Sequence, residues 1–570
     1  MTRHTGAEIT VRLLERQNVA TIAGIPGGAV LPLYDALARS RTIRHVLARH
    51  EQGAGFIAQG IARVTGRPGV CIASSGPGAT NLLTAIADAK LDSIPLVAIT
   101  GQVPRAMIGT DAFQEVDTFG LSLPITKHNY LVQTASDLTR VIPEAFAIAS
   151  SGRPGPVLID IPKDVQTEMA DVADWPDPGA AAPLGAAPDS AIERAAAMIE
   201  AAERPILYLG GGIVHSGAAS AAVAVAERSA LPTVMTLMGL GALPTNHRLS
   251  LGMLGMHGAP YTNRALDECD LLIAVGARFD DRATGKLAEF CPRAAVIHVD
   301  IDAAELGKLR SPELAIRGDA RGVLDRLLPR LRERPRSRWL ARVAQLQRRH
   351  PLHLPEVDSV RSPYGLIRAV AAALDDDAIV TTDVGQHQMW VSQAFPLRRA
   401  RSWLTSGGLG TMGFGLPAAI GAALAAPDRT VVCFSGDGSI LMNLQELATA
   451  AEEDVNVKIL LMNNRSLGLV YQQQTLFYGR RVFASAYRKS PDFVALMRGF
   501  GIEALDLDGA RDARGALAAA LRRPGPCLIH ATIDTAEQVL PMVPPGAANT
   551  QMIVRGARAE PHGLETVATE

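Results

Sequence analysis

Short runs of apolar and β-branched residues alternate with longer amphipathic segments along most of the chain. The short runs predict buried strands, and the segments between them have helical spacing. Such alternation is typical of parallel sheets covered by helices. We therefore predict an α/β fold with three doubly wound parallel-sheet domains. The predicted strands are residues 20–25, 43–48, 69–74 and 95–100, then 205–209, 271–275 and 296–299, then 379–382, 430–434, 457–462 and 527–533.

Changes in composition divide the chain into these domains. Residues 168–188 are rich in Ala, Pro, Asp and Gly and predict a linker. The charged helical stretch from residue 322 to about 349, followed by residues 350–355, predicts a second one. We expect an N-terminal domain over residues 1–168, a central domain over 189–335 and a C-terminal domain over 360–545. Residues 546–570 are small and polar and predict a loose tail or cap.

Composition and charge exclude several classes of protein. The chain has 570 residues, 48% of them hydrophobic, and a formal net charge of −1, which is typical of a globular α/β protein. Without a basic arm or acidic tail, neither nucleic acid nor a membrane is an expected partner. Five cysteines without a C-x-x-C pair, and the lack of a signal-peptide core or a membrane-spanning run, predict a cytoplasmic location.

The most informative stretch, residues 430–464, has the pattern of a strand, a Gly-rich turn, a helix over 441–453 and a second strand. Asp437 lies in the turn and Asn464 follows the second strand. We expect them side by side, because parallel strands end at one edge of a sheet. Their oxygens suit Mg²⁺, and the glycines let backbone amides approach a phosphate. The alternative is a Gly-rich turn with an N-capping aspartate.

Other polar groups follow predicted strands elsewhere. Glu51 begins a predicted helix. A partly buried carboxylate there would suit proton exchange. Alternatively, Glu51 is an ordinary acid at a helix N-terminus, where the helix macrodipole stabilises a negative charge. The DAFQEVD segment, residues 111–117, is a site loop or an ordinary polar loop. Residues 210–212 and 276–282 of the central domain indicate either a nucleotide site or turns that need glycine for packing.

The segment at residues 408–413 matches G-x-G-x-x-G, the pattern of dinucleotide-binding turns. That motif requires an acid at the end of the next strand, whereas Asp428 precedes the next strand. We therefore do not interpret this segment as an NAD site.

Taken together, these segments resemble the large catalytic subunits of acetolactate synthases, a family of thiamin-diphosphate enzymes. The resemblance covers residues 6–552. Besides GDGS at 436–439 with its paired NN at 463–464, it rests on RHEQGA at 49–54, SGPGATN at 75–81, GTDAFQEVD at 109–117, SGRPGPV at 151–157, GMLGMHG at 252–258, GARFDDR at 276–282, VGQHQMW at 384–390 and GLGTMGFGLPAA at 408–419.

The resemblance implies an activity, cofactors and partners. The reaction would be the decarboxylating condensation of two pyruvates to 2-acetolactate, or of pyruvate and 2-oxobutyrate to 2-aceto-2-hydroxybutyrate. The cofactors would be thiamin diphosphate, Mg²⁺ and a non-redox FAD, with the N-terminal domain binding the pyrimidine, the central domain FAD and the C-terminal domain the diphosphate. A homodimer or a dimer of dimers would place thiamin diphosphate between two chains, and the family commonly has a small regulatory subunit.

The resemblance also implies roles for matching residues. Glu51 would hydrogen-bond the pyrimidine ring, and the other residues lining the reaction centre would be Gly28, Gln114 and Lys163. The second substrate would meet Phe113, Met256, Arg282 and the Gln473 region. Thiamin diphosphate would contact Gly385, Gln386, His387, Gly410, Met412, Gly436, Gly438, Ser439 and Gly468. Mg²⁺ would be held by Asp437, Asn464 and Ser466. FAD would contact Arg153, Gly210, Gly211, Gly212, Gly258, Arg278, Asp300 and Asp319.

The sequence departs from the family pattern at Gln473, where many acetolactate synthases have a tryptophan associated with 2-oxobutyrate preference and sulfonylurea binding. We expect little acceptor preference and weak herbicide inhibition. Rival activities fit less well. Simple 2-oxoacid decarboxylases commonly have an adjacent His pair in the first domain, glyoxylate carboligase lacks the acid found here at Glu51, and pyruvate oxidase would turn over its flavin. A catalytically dead scaffold would need a broken cofactor site.

Overall fold

The computed structural model describes residues 2–554, so the predicted tail is described only as far as residue 554 and its remainder lies outside the described residues. Three six-stranded parallel sheets follow one another along the chain, and each is flanked by helices. The predicted α/β class is therefore confirmed. The domain limits stay predictions.

The first sheet is covered on both faces, because its strands at residues 69–73, 96–102 and 156–162 are buried throughout. The elements of this part are β1 (Thr2–Thr5), α1 (Gly6–Arg16), β2 (Thr21–Gly24), α2 (Leu31–Leu37), β3 (Arg44–Leu47), α3 (Glu51–Thr65), β4 (Gly69–Ala73), α4 (Pro77–Asp92), β5 (Leu96–Gln102), α5 (Thr118–Ser122), β6 (His128–Leu131), α6 (Leu138–Ser150), β7 (Pro156–Pro162), α7 (Lys163–Thr167) and β8 (Met169–Val172). The order of the sheet is β3-β2-β4-β5-β7-β6, and β1 pairs with β8 outside it.

The second sheet has the strand order 3-2-1-4-5-6 that is characteristic of dinucleotide-binding folds. Its elements are α8 (Asp189–Ala201), β9 (Pro205–Leu209), α9 (Gly211–His215), α10 (Ala219–Arg228), β10 (Thr233–Met235), β11 (Ser250–Met253), α11 (Pro260–Glu268), β12 (Leu271–Val275), α12 (Asp281–Thr284), β13 (Ala295–Asp300), β14 (Leu314–Arg317), α13 (Ala320–Leu327) and α14 (Ser337–Arg349). The order in the sheet is β11-β10-β9-β12-β13-β14.

The third sheet repeats the strand order of the first. Its elements are α15 (Pro363–Ala372), β15 (Ile379–Thr382), α16 (Gln386–Ala394), β16 (Trp403–Leu404), α17 (Gly415–Ala425), β17 (Val431–Gly436), α18 (Asp437–Ile440), α19 (Glu446–Glu452), β18 (Val457–Asn463), α20 (Gly468–Phe477), α21 (Phe493–Gly499), β19 (Glu503–Asp506), α22 (Ala513–Arg522) and β20 (Cys527–Thr532). The order β16-β15-β17-β18-β20-β19, like that of the first sheet, reads 2-1-3-4-6-5 within its own unit.

Both predicted linkers contain regular structure. The first begins with β8, because residues 169–172 complete a strand pair with the N-terminus. In the second, α14 packs on the central unit: Trp339 is buried, and its indole nitrogen donates to the Pro205 carbonyl at 3.1 Å. An amphipathic helix with a buried aromatic residue is part of a core and not a free connection.

The predicted helix at 441–453 is wrong in its first half. The structure has α18 and α19 instead, with residues 441–445 between them. The Asn443 side-chain amide donates to the Gly413 carbonyl at 2.8 Å, so a contact with a distant loop interrupts the helical pattern.

The first and third units pack closely through α3 and α17. A Cβ atom at Gly60 would lie 2.2 Å from the Ala418 carbonyl oxygen, and one at Gly421 would lie 2.0 Å from that of Ile57. Only glycine allows this approach of two helix backbones. In the described part of the chain, no helix has both the length and the apolar character needed to cross a bilayer.

Candidate active site

Asp437 and Asn464 lie at the carboxyl edge of the third sheet. They follow the neighbouring parallel strands β17 and β18, and both side chains are buried. Asn464 Oδ1 accepts from the Ser466 amide at 3.2 Å and from its hydroxyl at 3.1 Å. Within residues 2–554, neither carboxylate oxygen of Asp437 has a hydrogen-bond partner. The predicted Mg²⁺ ligands are therefore brought together around an unpaired acid.

The chemistry of this cluster fits a divalent cation. Burial raises the pKa of Asp437 to about 6, and nearby backbone amides oppose that rise. An unpaired buried carboxylate is costly, and a cation would remove that cost. The oxygens of Asp437 and Asn464 and the Ser466 carbonyl are hard donors of the type that Mg²⁺ prefers.

Residues predicted to meet the diphosphate surround this cluster. Gly385 precedes α16, which begins at Gln386, and the Gln386 Oε1 accepts from the Asn464 amide at 2.9 Å. His387 is buried, its Nε2 has no partner, and burial lowers its pKa to about 3. A neutral imidazole beside a helix N-terminus can donate to a phosphate oxygen. The Ser439 hydroxyl donates to the Val384 carbonyl at 2.7 Å.

The glycines at this edge border the same groups. A Cβ atom at Gly436 would lie 3.0 Å from His387 Nδ1, and one at Gly468 would lie 2.0 Å from Gln386 Oε1. At Gly438 it would lie 2.6 Å from the Tyr487 hydroxyl. These glycines therefore keep the edge open next to Asp437.

Gly410 and Met412 lie on the loop before α17. Gly410 is exposed with φ of +71°, and Met412 is half-buried. Gly413 ends the loop, and its amide donates to Asp383 Oδ1 at 2.7 Å.

Glu51 lies at the carboxyl edge of the first sheet. It is the first residue of α3 and is half-buried, and its Oε2 accepts from the Asn81 side-chain amide at 2.9 Å. Glu446, from the third unit, accepts the backbone amides of Arg49 and His50 at 3.0 and 2.9 Å. Sequence reasoning did not single out Asn81, although it lies in the SGPGATN motif, and it missed Glu446.

The other residues predicted near Glu51 are exposed. Gln114 has φ of +60°, and its backbone lies over the turn at Gly76, which precedes α4. Phe113 is 87% exposed, and Gly28 and Lys163 are also exposed. These side chains leave an uncovered apolar and polar surface beside Glu51.

A cavity of about 1040 Å³ separates the three units. The predicted FAD residues that line it are Arg153, Gly210, Gly211, Gly212, Arg278, Asp300 and Asp319. Gly258 is buried and does not line it. The walls also include residues 181–187 of the predicted first linker, which sequence reasoning did not associate with a site.

The glycines of the central domain also pack tightly against each other, as expected if these turns need glycine for packing. A Cβ atom at Gly212 would lie 2.7 Å from the Gly276 Cα atom, so the two strand ends approach too closely for side chains. Beside them, burial raises the pKa of Asp300 to about 6. The glycine turns thus both pack tightly and border a space large enough for a dinucleotide.

Three residues predicted to meet the second substrate, together with Gly410, line the same cavity. They are Met256, Arg282 and Gln473. The Arg282 guanidinium is exposed, and its Nη1 lies 3.9 Å from the Met256 sulfur. Glu51, Phe113, Gln114 and Lys163 do not line this cavity. Within one chain, the predicted reaction-centre residues therefore do not all border one cavity.

Comparisons with known proteins identify the family of the chain. Three family models of thiamine pyrophosphate enzymes match: the N-terminal TPP binding domain at residues 4–121, the central domain at 192–327 and the C-terminal TPP binding domain at 383–531. The acetolactate synthase isozyme 1 large subunit of Escherichia coli (strain K12) is 61% identical, covering 97% of this chain and 98% of that protein. The isozyme 2 large subunit of the same organism is 48% identical over 96% and 99%, and acetolactate synthase 1, chloroplastic, of Nicotiana tabacum is 45% identical over 97% and 85%. The chain belongs to the thiamine pyrophosphate enzymes and, within them, to the acetolactate synthase large subunits.

Proposed function

We propose that this chain is the catalytic subunit of an acetolactate synthase. It condenses two pyruvates to 2-acetolactate and CO₂, or pyruvate and 2-oxobutyrate to 2-aceto-2-hydroxybutyrate and CO₂, the first common step of branched-chain amino-acid synthesis. The observation that carries this proposal is Asp437, which is buried beside Asn464 at a strand edge and unpaired among the described residues, in a chain of which 97% matches a member of this family. Thiamin diphosphate, Mg²⁺ and FAD are the cofactors.

The C-terminal residues hold the charged end of the cofactor. Asp437, Asn464 and the Ser466 carbonyl bind Mg²⁺, and Gln386 and His387 face the diphosphate. Bound thiamin diphosphate supplies an electron sink for decarboxylation of a 2-oxoacid.

The remaining residues orient the ring and the acceptor. Glu51 exchanges a proton with the pyrimidine N1′, and the Asn81 amide orients the Glu51 carboxylate by occupying one of its oxygens. Arg282 pairs with the acceptor carboxylate, since a guanidinium suits that charge. Phe113 contributes apolar surface that meets the second substrate.

FAD has a positioning role in this proposal. Converting two pyruvates to acetolactate and CO₂ is redox-neutral, so the reaction requires no flavin turnover. Residues of all three units border the cavity, and a bound dinucleotide would therefore fix the units relative to one another.

We infer that the working unit is a homodimer. Reaction-centre residues that do not all border one cavity of a single chain support this, because a second copy can bring Glu51 of one chain to Asp437 of the other. Exposed apolar side chains lie near both edges, among them Phe113, Met442 and Phe483. The names of the bacterial relatives also support a separate small subunit as a further partner. The cytoplasmic location stays a prediction.

The test is a product assay with the purified chain, Mg²⁺, thiamin diphosphate, FAD and pyruvate. We expect one CO₂ per acetolactate and unchanged flavin absorbance under anaerobic conditions. Acetaldehyde as the main product would instead indicate a decarboxylase, and stoichiometric bleaching of FAD an oxidase. Either outcome would refute the proposed function.

We further propose weak acceptor discrimination, because the half-buried Gln473 lies in the cavity next to the groups that meet the second substrate. An amide offers less apolar contact to the extra methyl group of 2-oxobutyrate than an indole would. With equal pyruvate and 2-oxobutyrate, substantial acetolactate should form. Nearly exclusive formation of acetohydroxybutyrate would contradict this.

A further inference from the structure

Two buried carboxylates of the first unit reach the loop of the third unit that presents Gly410. Asp88 and Asp92 lie one turn apart on α4, and both are buried. Asp88 Oδ1 accepts from the Ser406 hydroxyl and, at 3.0 Å, from that of Thr411. Asp92 accepts the backbone amides of residues 407 and 408 at 3.1 and 2.6 Å.

These contacts account for the polar support of the loop. Among the described residues, every hydrogen bond made by residues 407–411 goes to Asp88, Asp92 or Ser406, whose hydroxyl accepts the Thr411 amide at 2.8 Å. Leu409 and Gly410 themselves make no hydrogen bond and are exposed. Asp88 and Asp92 therefore hold the flanking residues of the loop, and Leu409 and Gly410 are exposed at its tip.

A single guanidinium balances the two carboxylates. Arg63, on α3, is buried and donates to Asp92 at 2.8 Å, to Asp88 at 3.3 Å and to the Thr405 carbonyl at 3.0 Å. His215 and Arg401 also border the cluster: the His215 ring contacts the Asp92 carbonyl, and Arg401 donates to the Arg63 carbonyl. Burying three charged groups is costly and is a poor source of stability.

We propose that Asp88 and Asp92, with Arg63, are positioning residues that set the conformation of residues 406–412 and so present Gly410 and Met412 to the pyrimidine of thiamin diphosphate. The inference rests on the proposed function. It gives the first unit two tasks. Its acids shape the loop of its own chain, while its Glu51 faces the site completed by a second copy.

The test compares Thr411→Val, which removes one donor to Asp88, with Thr411→Ser, which keeps it. Thr139→Val, on the exposed face of α6, is the control for loss of a threonine hydroxyl. Two measurements are made: amide hydrogen exchange over residues 404–414 in the cofactor-free chain, and equilibrium binding of thiamin diphosphate with Mg²⁺. For Thr411→Val we expect faster exchange and about tenfold weaker binding, because a hydrogen bond to a charged group is lost. The serine and control variants should match wild type.

Asp88→Asn provides a second arm that keeps the side-chain shape but removes a charge. It should also speed exchange in the loop and lower kcat without raising KM for pyruvate. Unchanged exchange in both loop variants, or faster exchange with unchanged cofactor binding, would overturn the proposal. A wild-type chain that binds no thiamin diphosphate would instead overturn the proposed function, and the exchange measurement would still test the loop.

Discussion

The two sheet edges that carry the candidate catalytic groups differ in how complete they are within one chain. At the edge of the third sheet, Asp437, Asn464 and His387 are buried and enclosed by their own unit. At the edge of the first sheet, Glu51 is half-buried and Phe113 is 87% exposed. The half proposed to bind the cation is therefore enclosed within one chain, whereas the half proposed to exchange a proton is partly exposed.

Asp437 and Glu51 also differ in their hydrogen-bond partners. The Asp437 carboxylate has no hydrogen-bond partner in the described part of the chain, while the Asn81 amide donates to one oxygen of Glu51. In the proposed function, the unpaired buried acid would bind a cation, and the acid held by an amide would face the pyrimidine ring. The same residue class thus serves two tasks that burial and neighbours separate.

The largest effect should come from substituting the acid at each sheet edge in a different chain. Glu51→Gln and Asp437→Asn homodimers should each lose about a thousandfold in kcat, because each lacks one essential half. A hybrid dimer, co-expressed with two tags and purified on both, should recover about half of wild-type activity, since one of its two sites is intact. A hybrid as inactive as its parents would show that both halves come from one chain.

Asp437→Asn should weaken Mg²⁺ binding about a hundredfold, because Asp437 is the charged side chain among the three proposed protein ligands. In the metal-free chain the same change should raise the thermal unfolding midpoint, since an amide removes a buried charge whose pKa is already raised. Titration calorimetry and thermal unfolding check the two parts. Asp454→Asn, at an exposed position of the same unit, is the control. Equal Mg²⁺ affinity in both variants would place the cation elsewhere.

Gln473→Trp tests the acceptor side of the third unit. The larger apolar surface should shift product formation about tenfold toward acetohydroxybutyrate at equal substrate concentrations, a change of about 1.4 kcal/mol. Sulfonylurea inhibition should tighten in parallel. Gln474→Trp, one position along α20, is the matched control. A product ratio that stays constant would remove Gln473 from the acceptor pocket.

Glu446→Gln should have the smallest effect, a roughly threefold lower kcat, because the amide oxygen can still accept from Arg49 and His50 but more weakly. The buried acid fixes the turn before Glu51 from the third unit. Glu452→Gln, which touches only the Arg49 guanidinium, is the control on the same helix. Proton exchange at the cofactor C2 position, followed by NMR, should slow only in the first variant.

Much of the third unit could be predicted locally. The apolar runs of β17 and β18 gave strand limits within two residues, and the parallel-edge rule predicted Asp437 beside Asn464. The break at residues 441–445 could not be predicted, because it depends on the contact between Asn443 and Gly413. Glu446 and Asp88 were missed for a related reason. Their partners lie more than 300 residues away, and no local pattern distinguishes such an acid from an ordinary helical one.

The shared strand order of the outer sheets has a consequence for ancestry. In both units the third strand leads into a turn, reading Ser75-Gly76-Pro77-Gly78 in the first and Ser435-Gly436-Asp437-Gly438 in the third, and a helix begins at the third residue of each. Duplication of one ancestral domain would produce this correspondence. In the first unit Pro77 stands where the third unit has Asp437, so after such a duplication the two turns would have diverged, and the first lacks the carboxylate proposed to bind the cation.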